Sequence, residues 1–530
     1  METAGRLREG PSQELISSAY RLELESAPVI MPELALADLA HIVVLLEAEL
    51  IPAGQGTDLV QALLELREAG PVRACAGSLL GPSPDASDIR LDPVLGDLVM
   101  NREAWLKSRI GRSSGYLLVG RPRREAVAVA FHLAVRCRLL ALGRALVRLE
   151  RTLVDLAADH VETLAVDYTY WQPAQPTTLG HALLGYAYPL ARDGQRIREQ
   201  YRRVNLSPAG AGCTNGPGIP IDRQRLASLL GFDGVVLHAR DANWQADIAL
   251  ELTAVAASVA LTLDRLAEDL QIWGTREFGF AELADRATRV SLAMPQKKNP
   301  YALTFVRGVA ARLIGRLAGA AAVAKTGTGQ PDPRMFAQDE VPAALELATQ
   351  ASCVLGDALA GIRFDRARLA DAARRGYLAG NDLTERIMYE REIPFGEAHR
   401  IVGAAVRAAL EAGDDISGID AASLDLAARQ LGGSALKLSD DDVRDALDPR
   451  QAVARRTGIG GAAPPAVRDL IAERRHGLAQ ERRWLTQRQR AVERAEANLL
   501  ETARQRVTAR PSGRAATRRR HPRASQGETG

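Results

Sequence analysis

The chain has little of what several protein classes require. It holds only four cysteines in 530 residues, without metal-site or CxxC spacing, so we predict reduced thiols and neither a zinc site nor a disulfide framework. No run approaches the roughly 18–20 consecutive apolar residues of a membrane span, and residues 1–10 carry charges where a signal peptide needs an apolar core. Neither a GxGxxG nor a P-loop motif supports nucleotide binding. We therefore expect a cytoplasmic protein without membrane contact.

Net charge is also low, and it is concentrated at one end. The formal net charge is +3, yet residues 504–530 hold eight arginines against Glu528 alone, which leaves −4 for the rest of the chain. This tail has no apolar periodicity, so we predict that it is disordered. A solvated tail without function is the favoured interpretation, and contact of the tail with nucleic acid is the alternative. We expect no nucleic-acid binding by the rest of the chain.

What the chain has in abundance is the pattern of long amphipathic helices. No proline occurs between Pro122 and Pro173, and apolar residues repeat at four–three spacing from Val135 to Leu156, which predicts a helix of about 40 residues. Similar repeats cover residues 252–273 and 305–317. We predict an all-α protein with a central long-helix bundle. Helices this much longer than the usual length of about 10–14 residues are expected to pack against other subunits.

We divide the chain into four predicted parts. These are an N-terminal helical domain (1–121), the central bundle (122–375), a small C-terminal helical domain (376–487), and a helical extension with the disordered Arg-rich tail (488–530). Three segments rich in Gly, Pro or polar residues, at 173–180, 207–220 and 291–300, adjoin the long helices. Loops at the ends of a rigid bundle are typical places for binding and catalytic groups.

The third of these segments carries a specific motif. Residues 291–300 read Ser-Leu-Ala-Met-Pro-Gln-Lys-Lys-Asn-Pro, which resembles the signature Gly-Ser-Ser-x-Met-Pro-x-Lys-x-Asn-Pro of the fumarase/aspartase superfamily. The Gln-Lys-Lys form is similar to its argininosuccinate lyase branch, as are segments at 205–223, 229–234, 263–270 and 394–399. The resemblance spans about residues 5–481.

The resemblance implies a fold, a reaction and an assembly. The fold is a fumarase/aspartase-like three-domain subunit, with a signature loop at 289–300 in the central bundle. The reaction is β-elimination that cleaves a C–N bond of an N-substituted aspartate, a small-molecule dicarboxylate, and releases fumarate. The assembly is a homotetramer with shared active sites, and neither a metal nor an organic cofactor takes part.

Such an elimination requires a base for a weakly acidic carbon-bound proton, stabilisation of the resulting dianion, and a proton for the departing nitrogen. By similarity Ser291 is the base, and Lys297 and Asn299 supply a cation and a hydrogen-bond donor. The serine alkoxide needs nearby cations and N–H groups, so this role depends on loop closure. Tyr170 stands where the branch has a histidine; with a reference pKa of ~10 it can donate a proton but is not half-ionised at neutral pH.

Residues expected to bind the substrate are partly retained. Arg123 matches an anion-binding arginine of the branch, whereas Arg124 replaces an asparagine, and the added positive charge favours a more anionic ligand. The other candidates are Asp97, Thr169, Gln172, Asn299 and Gln338. Ala246, Pro333 and Val341 replace an arginine, a tyrosine and a lysine of the branch, so the positions for the arginine moiety of argininosuccinate are largely rewritten.

Three interpretations follow. The leading one is a fumarate-releasing lyase that acts on an N-substituted aspartate other than, or in addition to, argininosuccinate. A closely related interpretation is a true argininosuccinate lyase whose active-site residues have changed. The alternative is a catalytically impaired member that acts as a scaffold or as one subunit of a hetero-oligomer.

Overall fold

The computed structural model describes residues 8–25, 27–68, 91–330 and 332–508, with the side chains of 332–338 excepted. Beyond residue 508, the Arg-rich tail lies outside the described residues. Helices account for most of this described chain, which confirms the predicted all-α class. The helices are α1 (Gln13–Leu15), α2 (Arg21–Glu25), α3 (Ala27–Glu47), α4 (Ala53–Glu68), α5 (Leu98–Ile110), α6 (Arg123–Asp159), α7 (Leu179–Val204), α8 (Arg223–Leu229), α9 (Ala239–Trp244), α10 (Asp247–Trp273), α11 (Tyr301–Ala324), α12 (Asp332–Ala360), α13 (Arg366–Arg374), α14 (Gly380–Arg391), α15 (Phe395–Glu411), α16 (Ala421–Gln430), α17 (Asp440–Leu447), α18 (Pro449–Ala454) and α19 (Pro464–Thr508).

Short strands connect the helices as two-stranded pairs. The strands are β1 (Leu164–Thr169), β2 (Gln172–Thr178), β3 (Leu206–Ser207), β4 (Gly234–Val235), β5 (Ala281–Glu282), β6 (Arg289–Val290), β7 (Lys298–Asn299) and β8 (Arg363–Phe364). Three pairs are antiparallel (β1–β2, β5–β8 and β6–β7) and β3–β4 is parallel. The β1–β2 pair is a hairpin between α6 and α7, and β6–β7 lies between α10 and α11.

The core is a bundle of α6, α7, α10, α11 and α12. The predicted 40-residue helix is α6, with 37 residues between the extended Pro122 and His160. Its predicted apolar stripe is buried from Val135 to Leu153, and only the last member, Leu156, is partly exposed. The pattern therefore indicates the buried face correctly, because an apolar stripe at helical spacing has to be removed from water.

The long C-terminal helix α19 lies along the outside of this bundle. Its buried residues Ile471, Leu478, Leu485, Val492 and Leu499 recur every seven positions, so one stripe faces α6 and its neighbours along the whole helix. At the crossing, Gly143 of α6 permits close approach, since a Cβ there would lie 2.8 Å from Leu485 Cδ2. A separate core joins α14–α17. The predicted boundary at 487/488 falls inside α19, and the domain division stays a prediction.

The bundle has two distinct ends. At one end α6 begins, and Arg124 stacks on Trp244, three residues before α10 begins. At the other end α6 has terminated, and His160 packs edge-on against Phe364, just after α12, with ring centres 5.3 Å apart. The helices α6, α10 and α12 thus share one direction.

Two findings bear on the cysteine and membrane expectations. Cys137 is disulfide-bonded, so the expectation of reduced thiols is wrong for this residue, whereas Cys213 and Cys353 are free.

Helices α3 and α6 are long and apolar enough to span a membrane by length and composition, but 89% and 94% of the relevant windows are buried in the structure. Both are core helices in this fold.

A buried ion cluster ties the N-terminal helices to the start of α6. Asp38 of α3 is 0% exposed and accepts hydrogen bonds from Arg102 Nη1 of α5, at 2.6 Å to Oδ2, and from Arg121 Nη1, two residues before α6. The replacement Asp38→Ala leaves two buried guanidinium groups without their counter-charge.

We expect Asp38→Ala to lower the free energy of unfolding by about 3–5 kcal/mol, the usual cost of breaking a buried pair from one side. Urea unfolding at fixed protein concentration measures it. Glu25→Ala is the control, because Glu25 pairs with Arg21 at the surface, where both side chains are more than 60% exposed, and such pairs contribute little. Equal unfolding midpoints for the two variants would contradict the prediction.

Candidate active site

Three of the predicted residues meet where α6 begins. Arg123 and Arg124 are the first two residues of α6. Arg123 Nη1 lies 2.9 Å from Asp97 Oδ2, and the Asp97 side chain is only 11% exposed. Asp97 also caps α5, since its Oδ1 accepts the Met100 N–H at 2.9 Å. Asp97 is thus fixed in place and neutralises Arg123.

Arg124 lies against an aromatic ring that no sequence motif singles out. Its Cζ is 4.3 Å from the ring centre of Trp244, the last residue of α9. Trp244 is oriented by its Nε1, which donates to the Cys213 carbonyl at 2.7 Å. Burial lowers the pKa of Arg124, and the positive charge of Arg123 lowers it further. Two adjacent cations therefore stand at the positive end of the α6 dipole.

The glycine-rich segment 207–220 forms a rigid wall beside these arginines. Glu125, the third residue of α6, is 1% exposed and accepts the N–H groups of Gly210 and Gly212 at 2.7 and 2.6 Å. Asn243 Nδ2 of α9 donates to the Gly212 carbonyl at 2.7 Å. Gly212 has a φ of +66°, and a Cβ there would lie 2.9 Å from the backbone of Gly216. Burial raises the pKa of Glu125.

A second group lies on the β1–β2 hairpin. Thr169 and Gln172 pair across the ladder, and Tyr170 and Trp171 form the two-residue turn. Both turn residues have left-handed φ angles, 53° and 60°. Asn and Gly are the residues usually found in such turns. Two aromatic residues with these angles therefore indicate local backbone strain, which is found most often at functional sites. Tyr170 is 97% exposed and is among the residues that line a cavity between the hairpin, α7 and α10.

The signature loop is a small hairpin whose tip is open. Strands β6 and β7 pair Arg289 with Asn299, and Asn299 Nδ2 donates to the Arg289 carbonyl at 3.1 Å. Ser291 Oγ accepts the Met294 N–H at 3.1 Å. Lys297 is exposed, as are most residues of the tip. The candidate base, cation and amide are therefore joined on one strip of chain, whose tip is largely exposed.

The second lysine of the loop has a different function from the first. Lys298 Nζ contacts Asp285 Oδ1 at 2.8 Å and Glu282 Oε1 at 3.1 Å. The hydrogen bond to Asp285 is the main cause that raises the pKa of Lys298. Lys298 therefore anchors the base of the loop to residues 282–285, between α10 and α11, and Lys297 is the lysine available to a ligand.

One subunit does not bring these groups together. At about 1.5 Å per residue, the 37 residues of α6 place its ends about 54 Å apart. The hairpin begins beyond the far end, where Tyr168 packs on Phe278 with ring centres 6.0 Å apart. The hairpin could approach Arg123 only by running back along α6. Even a fully extended β1, with its six residues, would cover only about 20 Å of that distance. More than about 30 Å thus separates Tyr170 from Arg123. Gln338 belongs to α12, and its side chain lies outside the described residues.

Sequence reasoning assigned no role to three residues that hold these segments in place: Glu125 and Trp244 near the start of α6, and Lys298 in the signature loop. The partners of Glu125 are backbone N–H groups more than 80 positions along the chain, a contact that no local pattern encodes. Metal binding has no support in ranges 8–25, 27–68, 91–330 and 332–508, which contain no group of three or more His, Cys, Asp or Glu side chains arranged for a metal ion. The expectation that no cofactor takes part stays a prediction.

Comparison with known proteins relates most of the chain to one group. A family model described as lyase matches residues 85–315, and one described as argininosuccinate lyase C-terminal matches residues 379–454. The argininosuccinate lyase of Methanoculleus marisnigri is 35% identical over 88% of this chain and 92% of its own length. The argininosuccinate lyase of Methanothermobacter thermautotrophicus is 32% identical over 91% and 99%.

Solved structures extend the likeness to three dimensions. An EDDS lyase variant with bound fumarate superposes with a TM-score of 0.83 at 30% identity, over 95% of this chain and 98% of that one. A 3-carboxy-cis,cis-muconate lactonizing enzyme from Pseudomonas putida superposes with a TM-score of 0.63 at 20% identity, over 88% and 97%. The second likeness concerns the fold alone.

The glycine-rich wall generates a prediction about Glu125. Because a glutamine amide has one acceptor oxygen and an NH₂ group that opposes the second N–H donor, Glu125→Gln should loosen the loop. We expect faster amide hydrogen exchange in peptides covering 207–216, measured by mass spectrometry. Peptides covering the hairpin 164–178 are the internal control and should be unchanged. Unaltered exchange at 207–216 would show that Glu125 does not hold this loop.

Proposed function

The chain belongs to the argininosuccinate lyase family and is a carbon–nitrogen lyase that releases fumarate from an N-substituted aspartate, and we propose that its active site is assembled from groups contributed by different subunits of a homotetramer. The observation that carries this proposal is the length of α6. The arginines at its start and the serine loop near the opposite end of the bundle are too far apart to contact one dicarboxylate in a single subunit. Neighbouring copies in a symmetric assembly can supply the missing groups.

The chemistry assigned to these groups is anti β-elimination. Ser291 Oγ, as the alkoxide, takes a proton from Cβ of the aspartate unit, and the electron pair moves into the adjacent carboxylate. Lys297 and Asn299 stabilise the dianion that forms. The electron pair then forms the Cα=Cβ double bond as the Cα–N bond breaks, and fumarate and an amine are released. Positive charge and N–H donors around the closed loop are needed to stabilise the serine alkoxide.

Tyr170 is the proposed proton donor to the departing nitrogen. Its exposure at the tip of a strained turn supports a function outside its own subunit, because strain at an exposed turn is retained only where something requires that conformation. Thr169 and Gln172, on either side of the same turn, are proposed to contact the substrate. The remaining candidates for substrate contact are Asp97, Arg123, Arg124, Asn299 and Gln338.

The substrate is proposed to be an N-substituted aspartate other than, or in addition to, argininosuccinate. Arg124 adds a cation at the start of α6, where the branch has an asparagine. Ala246, next to the start of α10, removes the charge of the arginine that the branch has there. Both changes favour a leaving amine other than arginine. We also propose that the protein acts in the cytoplasm. A catalytically impaired scaffold is not favoured, given the similarity to lyases over most of the chain.

Removal of the candidate base tests the reaction. Wild-type protein incubated with argininosuccinate and with a panel of N-substituted aspartates should release fumarate, followed by its ultraviolet absorbance. Ser291→Ala should lower kcat at least about 10³-fold. The next two residues, Leu292 and Ala293, carry no hydroxyl group that could replace the base. Lys298→Arg is the control, since it preserves the anchoring charge. Fumarate release from no member of the panel would contradict the assignment.

Shared sites generate a further prediction about mixed assemblies. Ser291→Ala and Arg124→Gln each remove a group from opposite ends of the bundle, so each variant alone should be nearly inactive. When equal amounts are co-expressed, random assembly gives about one quarter of the sites an intact group from each subunit. We therefore expect about a quarter of wild-type activity in the mixture. A mixture no more active than the two separate variants would contradict sites built from several subunits.

A further inference from the structure

A cavity of about 620 Å³ lies between the β1–β2 hairpin, α7 and α10. This volume is within the usual range of small-molecule sites. Six aromatic side chains contribute to its wall: Tyr168, Tyr170, Trp171, Tyr186, Trp273 and Phe278. Because the face of an aromatic ring carries partial negative charge, such a wall suits an organic cation and the apolar groups attached to it.

Three hydroxyl groups of the wall already donate their protons to carboxylates. Ser258 Oγ donates to Asp193 Oδ1 at 2.8 Å, and Thr262 Oγ1 donates to Asp193 Oδ2 at 3.1 Å. The Tyr186 hydroxyl donates to Asp269 Oδ2. Since a hydroxyl group has one proton, these three oxygens can only accept a further hydrogen bond. A ligand that donates hydrogen bonds therefore fits them better than one that accepts.

The histidine of the wall is engaged by the protein on both sides of its ring. His181 Nε2 lies 3.0 Å from the carbonyl oxygen of Gly460, and Nδ1 lies 3.1 Å from Thr177 Oγ1. A carbonyl oxygen only accepts, so Nε2 carries the proton of the neutral ring and Nδ1 accepts from the threonine hydroxyl. His181 therefore has no donor left for an anionic ligand.

Negative charge exceeds positive charge in this wall. Asp167 and Asp269 line the cavity together with one cation, Arg265, which precedes Asp269 by one helical turn in α10. Burial raises the pKa of Asp269, and the charges of Glu268 and Asp167 raise it further, whereas Arg265 and the Tyr186 hydrogen bond oppose the rise. A bound cation relieves the repulsion between the carboxylates, and a bound anion increases it.

We propose that this cavity is a binding site for a protonated amine that carries an apolar substituent. The N–H groups of the amine donate to the hydroxyl oxygens and carboxylates, and the substituent lies against the aromatic rings. Tyr170, the proposed proton donor to the departing nitrogen, lines the same cavity. The amine product of the elimination is therefore one source of the ligand, and this source rests on the proposed function. A free amine from solution is the other source.

Three probes of one shape and different charge test the chemistry of the cavity: benzylamine, benzyl alcohol and benzoate. Binding to the wild-type protein is measured by calorimetry at neutral pH, where benzylamine is protonated. Benzylamine should bind at least about 10-fold more tightly than benzyl alcohol, because it adds cation–π and charge-assisted contacts. Benzoate should bind more weakly than either. Equal affinities for benzylamine and benzyl alcohol, or tighter binding of benzoate, would overturn the proposal.

Two variants of α10 should shift benzylamine binding in opposite directions. Asp269→Asn removes the charge but keeps an oxygen that accepts the Tyr186 hydroxyl, and it should weaken benzylamine binding about 5- to 10-fold. Arg265→Gln removes the competing cation and should strengthen it about threefold. Benzyl alcohol affinity should stay unchanged in both, which also shows that the cavity is intact. Asp264→Asn, on the same helix but paired with Arg307, is the matched control.

Kinetics distinguish the two sources of the amine. If the ligand is the leaving amine, benzylamine competes with N-substituted aspartates, and Asp269→Asn lowers kcat/KM for N-benzylaspartate by about the factor that it lowers benzylamine affinity. If the ligand is a free amine, benzylamine does not compete and kcat/KM is unchanged. Binding of the probes in the predicted order without cleavage of any N-substituted aspartate would refute the proposed function alone. Cleavage without a preference for the cationic probe would refute the cavity assignment alone.

Discussion

The rigidity of α6 is the constraint on which the rest of the structure depends. A continuous helix of 37 residues cannot shorten, so it separates the arginines at its first turn from the hairpin and the serine loop at the opposite end of the bundle. Its leucine stripe is buried, and the seven-residue repeat of α19 packs against it. The same helix that gives the subunit its core therefore keeps these two groups of residues apart within one subunit.

Ion pairs with carboxylates hold one cationic side chain in place at each end of the bundle. Asp97 neutralises Arg123, and Asp285 with Glu282 neutralises Lys298. A further cation is adjacent in the sequence in each case: Arg124, whose guanidinium lies over the Trp244 ring, and Lys297 at the tip of the loop. In the loop, Lys298 thus fixes local structure, and Lys297 is the lysine whose side chain is left exposed. Two adjacent residues of the same charge can therefore have different surroundings.

Much of the fold was predictable because it depends on periodic patterns. The stripe from Val135 to Leu156 encodes a buried helix face, and a ten-residue motif indicates the family. The signature loop was identified by its Met-Pro and Lys-x-Asn-Pro spacing. Contacts between distant positions were not predictable, since no local pattern links Glu125 to the glycine-rich wall or places Trp244 over Arg124. For the same reason, the adjacent lysines of the loop could not be distinguished until their neighbours in space were known.

The central claim is that one dicarboxylate is held by groups from more than one subunit. The most direct test is an experimental structure of the assembled Ser291→Ala protein with an N-substituted aspartate bound. We predict that a carboxylate of the ligand contacts Arg124 of one copy while Lys297 and Asn299 of another close over it. A ligand enclosed by residues of a single subunit, or bound far from both Arg124 and the signature loop, would contradict it.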